Sequence, residues 1–191
     1  MASKTQGTFL PSEVFFMAED VEVTVIPRQS MDSLKLIGLR VPKLQPMRRV
    51  VVPLWLALLL KKQSRLNVVP PEWLTEENLK KVHEEEVSQP AFAKLPWHWM
   101  EVGQALLEGA PDDLGSPSHV IRDLLRDVRE ARQAKIRAGV KELNESHMRM
   151  DNVGLMEINE IRPFVSSVMD ELRRYSDLEV ANEQGDEEEL E

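Results

Sequence analysis

The chain has no cysteine. It can form no disulfide and no thiolate metal site, and it suits a reducing compartment. It also has no glycine-rich phosphate loop. The eight glycines are scattered, and neither G-x-G nor G-K-[ST] occurs. The four histidines, His83, His98, His119 and His147, show no ligand spacing among themselves, so no zinc site is expected. Ser118-His119 and Ser146-His147 are helix neighbours whose side chains point apart, not nucleophile–base pairs. Long apolar runs are missing too. The longest, Val50 to Leu60, contains Pro53 and falls well short of the ~20 residues of a membrane-spanning helix. Met1 to Gly7 has no apolar core of the signal-peptide kind. These absences predict a soluble chain that is not an enzyme, holds no cofactor or metal and does not enter a membrane.

What is present is apolar enough for a real core, with 42% hydrophobic residues in 191. The net charge of −9 is unevenly spread. Glu183 to Glu191 contain six acids and no base, which leaves −3 for the body. A nearly balanced body is no obvious polyanion binder. The stretch from Arg40 to Arg49 carries Arg40, Lys43, Arg48 and Arg49 with Pro42 and Pro46 and no acid. With Lys61, Lys62 and Arg65 it reads as an exposed charged loop, or as a contact for an acidic protein or DNA. No aromatic residue interleaves these bases.

The periodicities predict an α+β chain, predominantly α, with a small N-terminal β-rich domain followed by a larger helical-bundle domain. Residues 1–11 read as flexible. Residues 12–54 form the β-rich domain: a short helix over Ser12–Asp20, then strands at Val21–Ile26, Leu34–Gly38 and Val50–Leu54. Residues 55–178 form the helical domain, with helices at Trp55–Gln63, Glu76–Ser88 behind a Thr75 cap, Trp97–Glu108 and Ser118–His147. Asp112-Asp113 reads as a solvated turn. A last helix is expected to break before Pro163 and restart over Phe164–Tyr175. Residues 179–191 read as a disordered acidic tail.

The longest helix gives the sharpest hint. Ile121, Leu124, Leu125, Val128, Ile136 and Leu143 share one stripe, and Arg132 and Lys135 project from its middle. A cation aimed at a core needs a partner, because an uncompensated buried charge costs several kcal/mol. The partner is an acid of this chain, such as Asp151, Glu157 or Glu160, or an acid of another chain. Four tryptophans, Trp55, Trp73, Trp97 and Trp99, sit beside proline-bearing connectors. They read as aromatic anchors, either within this chain or against a neighbouring subunit.

Several blocks carry a family resemblance. They are Phe16-Met-Ala-Glu19, Val23-Thr-Val-Ile-Pro27, Val52-Pro-Leu-Trp-Leu-Ala57, Leu60-Lys-Lys-Gln-Ser64 and Pro70-Pro-Glu-Trp-Leu74. Further along come Leu95-Pro-Trp-His-Trp99, Asp127 to Lys135, Leu143-Asn-Glu-Ser-His147 and Met150 to Phe164. In this order the chain resembles the second-subunit type of the GINS DNA replication complex, in its fungal form. The resemblance implies a heterotetramer with three other GINS subunits, each built from a helical and a small β domain. It implies a nuclear, non-catalytic scaffold that joins the MCM motor ring and Cdc forty-five in the replicative helicase, touching DNA only indirectly or weakly. It also implies that Arg132, Lys135, Asp151, Asn152, Glu157 and Asn159 serve as polar ties, within the helical domain or at its interfaces. A freestanding nucleic-acid-binding accessory factor is the alternative.

Overall fold

A computed structural model describes residues 8–140 and 150–188, with side chains through 139 and from 150 to 175. Helix α1 spans Pro11–Ala18. Proline suits a first helical turn, and the Glu13 carboxylate accepts the Leu10 N–H at 2.8 Å. Strand β1, Glu22–Pro27, buries Val23, Val25 and Pro27 and turns the residues between them outward, the period of a half-buried strand. The next pair, β2 Leu34–Leu36 and β3 Leu39–Val41, makes a separate hairpin turning at Gly38, whose φ of +77° suits glycine. Strand β4, Val50–Pro53, returns antiparallel to β1, with Val23 opposite Val52 and Val25 opposite Val50.

Pro53 ends β4 and opens α2, Leu54–Lys62, which buries Leu54, Leu56, Ala57 and Leu60 beneath the sheet. A turn through Ser64 then returns the chain as β5, Leu66–Val68, which pairs antiparallel with the other side of β1. The main sheet is therefore β4-β1-β5. The expected domain border after residue 54 falls inside this unit, because α2 is the connection between two strands of one sheet. Two strands escaped the sequence reading. Strand β3 lies where an exposed loop was expected, and Leu44 beyond it is buried and bridges to Met31. Both β3 and β5 are only three residues long, too short for alternation to show.

Helices α3 (Glu76–Ser88), α4 (Trp99–Gly109), α5 (Ser118–Val140) and α6 (Leu155–Glu188) complete the chain. Thr75 does not cap α3 with its side chain; its hydroxyl donates to the Glu72 carbonyl at 3.0 Å. One hydrophobic cluster runs from Val25 and Leu66 of the sheet through Leu54 and Leu60 to Leu106 and Ile121 of the helices. A smaller cluster joins Leu95, Trp99 and Val128. The expected end of α5, Leu143 included, lies outside the described residues.

Two expectations about the C-terminal part differ from the structure. Helix α6 passes through Pro163 without a break and continues over the first part of the supposed disordered tail, to Glu188. An interior proline costs about 3 kcal/mol, chiefly through the lost bond to the carbonyl four residues back. Pro163 is exposed, and at 100° per residue it stands opposite the helix's apolar residues, so its ring meets no core contact.

The solvated turn expected at Asp112-Asp113 is half right. Asp112 is exposed, but Asp113 turns inward. Its Oδ2 accepts the Val68 N–H at 2.7 Å and meets Lys61 Nζ at 2.8 Å, both side chains nearly buried. It thereby ties α2, β5 and the 3₁₀ turn Pro111–Asp113 together. Asp113→Ala should destabilise the purified assembly by about 3 kcal/mol, because Lys61 loses its counter-charge. Asp112→Ala should stay within about 0.5 kcal/mol. Urea denaturation of the two variants side by side checks the contrast.

Candidate functional site

The helical half is built around Arg132, which is fully buried. A guanidinium has five N–H donors and needs an acceptor for each when water is excluded. Its Nε and Nη2 bind Glu157 side-on, at 2.7 Å to Oε1 and 2.8 Å to Oε2. Nη2 also donates to the Asn152 carbonyl at 2.7 Å. Nη1 donates to Glu86 Oε1 at 2.6 Å and to the Ala93 carbonyl at 3.3 Å. Phe92 and Trp99 lie 4.9 Å and 5.8 Å from the guanidinium carbon, a favourable cation–π arrangement. Burial works against the charged form, but the bonds and charge of Glu157, then those of Glu86, outweigh it and hold Arg132 above its ordinary pKa.

The carboxylates are satisfied in turn. Glu86 also accepts the Ala93 N–H at 3.0 Å and Lys135 Nζ. Lys135 donates its second bond to the Ala91 carbonyl at 2.8 Å. Glu157 takes the Gly154 N–H at 2.7 Å. A Cβ on Gly154 would stand 3.0 Å from Trp99 Nε1 and 3.2 Å from Glu157 Oε2, so any side chain here would push these groups aside by a few tenths of an ångström. Asn152 sits at φ +60°, a conformation asparagine tolerates, and its side-chain amide donates to the Phe92 carbonyl at 3.2 Å.

Arg132 and Lys135 are thus paired inside the chain. Of the three acids expected for them, Glu157 does meet Arg132. Glu160 bonds Arg129 instead, and Asp151 lies exposed at the surface. Glu86 and Glu101 were missed. Glu86 was legible in one respect: on α3 it continues the inward stripe of Leu79 and Val82. Asn159 makes a different tie. Its side chain takes the Phe9 N–H at 3.0 Å and donates to the Phe9 carbonyl at 2.9 Å, pinning the approach to α1 onto α6.

Glu101 is the unbalanced member. It is buried beside this network, and neither carboxylate oxygen has a hydrogen-bond partner among the described residues. Burial first, and the Glu157 charge after it, push it up to about 6. The N–H groups of Glu101 and Met156 oppose that rise, but neither reaches it in hydrogen-bonding geometry. His98 Nδ1 lies 3.9 Å away, and burial lowers the pKa of His98. Among the described residues no cluster of three or more His, Cys, Asp or Glu has a metal-holding arrangement. No helix among them is long and apolar enough to cross a membrane.

The tryptophans divide. Trp99 is buried, Trp55 and Trp73 pack against the core, and Trp97 stays exposed. Further exposed apolar surface gathers on α1 and α6, the two helices that Asn159 links. Phe16 is 72% exposed, Phe164 57% and Tyr175 63%. Along α6, Ile158, Ile161, Val165, Val168, Leu172 and Tyr175 recur at alternating steps of three and four, the spacing by which one helix packs along another. Met150, Ile158, Ile161 and Val165 line an open groove at its start.

Two outcomes test the interior. Arg132→Gln should cost about 3–5 kcal/mol in urea denaturation, since Glu157 would remain buried without its cation and Glu86 would keep only Lys135. For Glu101 the folded chain keeps its proton up to about pH 6, the unfolded chain only to its ordinary 4.5. Between those values the folded state binds more protons, so this residue's contribution falls as pH rises, by about 2 kcal/mol in all. Glu101→Gln should therefore be the more stable form above pH 6, with the gap closing toward pH 4.5.

Comparison with known proteins accounts for nearly the whole chain. Residues 10–69 match the PSF2 N-terminal domain, and residues 73–176 match the GINS complex protein helical bundle domain. The "DNA replication complex GINS protein PSF2" of Debaryomyces hansenii is 50% identical over 88% of this chain and 82% of its own length. That of Candida albicans is 47% identical over 93% of this chain and 88% of its own. That of Saccharomyces cerevisiae is 37% identical over 97% and 96%. The two domain matches and these identities agree: the chain belongs to the GINS family, in its PSF2 branch.

Proposed function

We propose that this chain is a non-catalytic scaffold subunit of a heterotetrameric GINS complex, acting in DNA replication with three sister subunits. The relatives' name supports membership in that complex. The observation that carries the scaffold reading is the apolar seam of α6, continuous through the Asn159–Phe9 bonds with the exposed face of α1. The inward-facing cations Arg132, Lys135 and Lys61 are paired within the chain, while this apolar surface is left open. An open apolar seam at helix-packing spacing is surface for another helix. In this reading the Arg132 network serves indirectly, by holding the start of α6 rigidly against α3 and α5. Association with the MCM motor ring and Cdc forty-five in the nucleus belongs to the same proposal and rests on the family resemblance alone.

Expression of the chain with its three presumptive sister subunits tests the reading. The wild-type chain should elute with them as one complex with one copy of each. Val168→Glu with Leu172→Glu should release it, because each buried charge costs about 3 kcal/mol at an apolar contact. Asp170→Lys, on the exposed side of the same helix, should leave assembly intact. Equal behaviour of the two variants in size-exclusion chromatography would remove the seam from the interface.

A further inference from the structure

Residues 28–65 carry nine cations and a single acid, Asp32, a net charge of +8 in a chain of net −9. The sheet concentrates part of that charge at one end. Ile26 faces Asn67 and Pro27 faces Leu66 across β1 and β5. The next step along places Arg28 beside Arg65, and the Arg28 N–H donates to the Arg65 carbonyl at 2.8 Å. On the other side Val25 faces Val50. Arg49 and Arg48 therefore come level with Ile26 and Pro27, and the Met47 N–H donates to the Pro27 carbonyl at 3.1 Å. Neighbouring strands run about 4.8 Å apart, so these arginines share one small area.

Strand alternation sets which way they face. Val23, Val25, Pro27, Val52, Leu66 and Val68 are buried on the inner side. By the same alternation Arg28, Arg49 and Arg65 stand on the outer side with Ile26, Val51 and Asn67. All three arginines are exposed, as are Arg48 and Lys62 at the same end. None of the five is in an ion pair among the described residues, whereas neighbouring Lys61 is drawn inward to Asp113. Arg28 is held in place without being neutralised: its Nε and Nη2 donate to the amide oxygen of Asn67 at 2.9 Å and 2.6 Å. Like charges this close repel within a screening length of about 8 Å. An anionic partner would relieve that repulsion.

We propose that this outer end of the sheet docks an acidic peptide segment of another protein. Guanidinium forks match carboxylates, and clusters of arginine are a recurrent receptor for acidic motifs. The apolar neighbours, Ile26 and the 53% exposed Val51, suit an aliphatic side chain between the acids of such a peptide. No aromatic residue stands on this face to stack a nucleobase, the usual device for single-stranded nucleic acid. The proposal rests on the sheet and its charges, and holds whether or not the assembly reading does.

The test is fluorescence anisotropy with the full chain as it purifies, alone or with whatever subunits accompany it. The probes are a fluorescein-labelled peptide of alternating Glu and Leu and a labelled DNA duplex of equal net charge. The peptide should bind, and more weakly as salt rises from about 50 to about 200 mM. Charge reversal at Arg28→Glu, Arg49→Glu and Arg65→Glu together should weaken it at least about tenfold, while Arg122→Glu on α5 should not. Should the triple variant fail to assemble, Arg49→Gln with Arg65→Gln should still weaken binding at least about threefold. Peptide binding that is absent at low salt, or that these substitutions leave unchanged, overturns the proposal. So does tighter binding of the duplex through the same arginines, which would make this a nucleic-acid site.

Discussion

A guanidinium sealed from water dictates the arrangement of the helical half. Arg132 finds acceptors for all its donors only when four pieces of chain stand in one place: Glu86 of α3, the connector at Ala93, the turn at Asn152 and Glu157 of α6. Buried ion pairs are weak evidence for added stability, since desolvation offsets most of the attraction. What they supply here is position. An apolar contact tolerates sliding by a fraction of a turn, but a five-donor fork between two carboxylates and two carbonyls does not. The close turn at Gly154 and the left-handed Asn152 are local conformations that this geometry requires.

The sheet half is held differently. Its three short strands bury little area by themselves, and its core is not its own: Val25 and Leu66 share one cluster with Leu106 and Ile121. Because α2 lies between β4 and β5 in sequence, the helix that covers the sheet is also threaded through it. Asp113 closes the arrangement by holding Lys61 and the β5 backbone from the helical side. The sheet cannot leave the helices without exposing a charged pair as well as apolar surface.

Much of this was legible. The long elements, β1, α3 and α5, announce themselves by alternation or by stripe, and the cations on the apolar stripe of α5 called for acidic partners without saying whether in this chain or another. What escaped was short or non-local. Strands of three residues such as β3 and β5 show no period; their pairing is decided by β1, far off in sequence. Glu86 sits in a run of three glutamates, Glu84 to Glu86, of which only the last points inward, and composition alone does not separate them. Pro163 misled because its cost was judged by backbone preference. The helix continues with the proline on its solvent side, away from the packed face.

The way charge and apolar surface are sorted says what kind of protein this is. Inward-facing Arg132, Lys135, Lys61, Glu86, Glu157 and Asp113 all find partners within the chain. Phe16, Phe164, Tyr175 and the seam of α6 keep apolar surface open to water. An autonomous domain resolves both, since open apolar area is a standing liability for a monomer. A chain that pairs its inward-facing charges, Glu101 excepted, and leaves its apolar surface open is hydrophobically incomplete. The missing contribution is then another protein surface, and it is asked for along a whole helix face rather than in a cleft. Such a surface suits assembly, which is the physical basis of the proposed scaffold role.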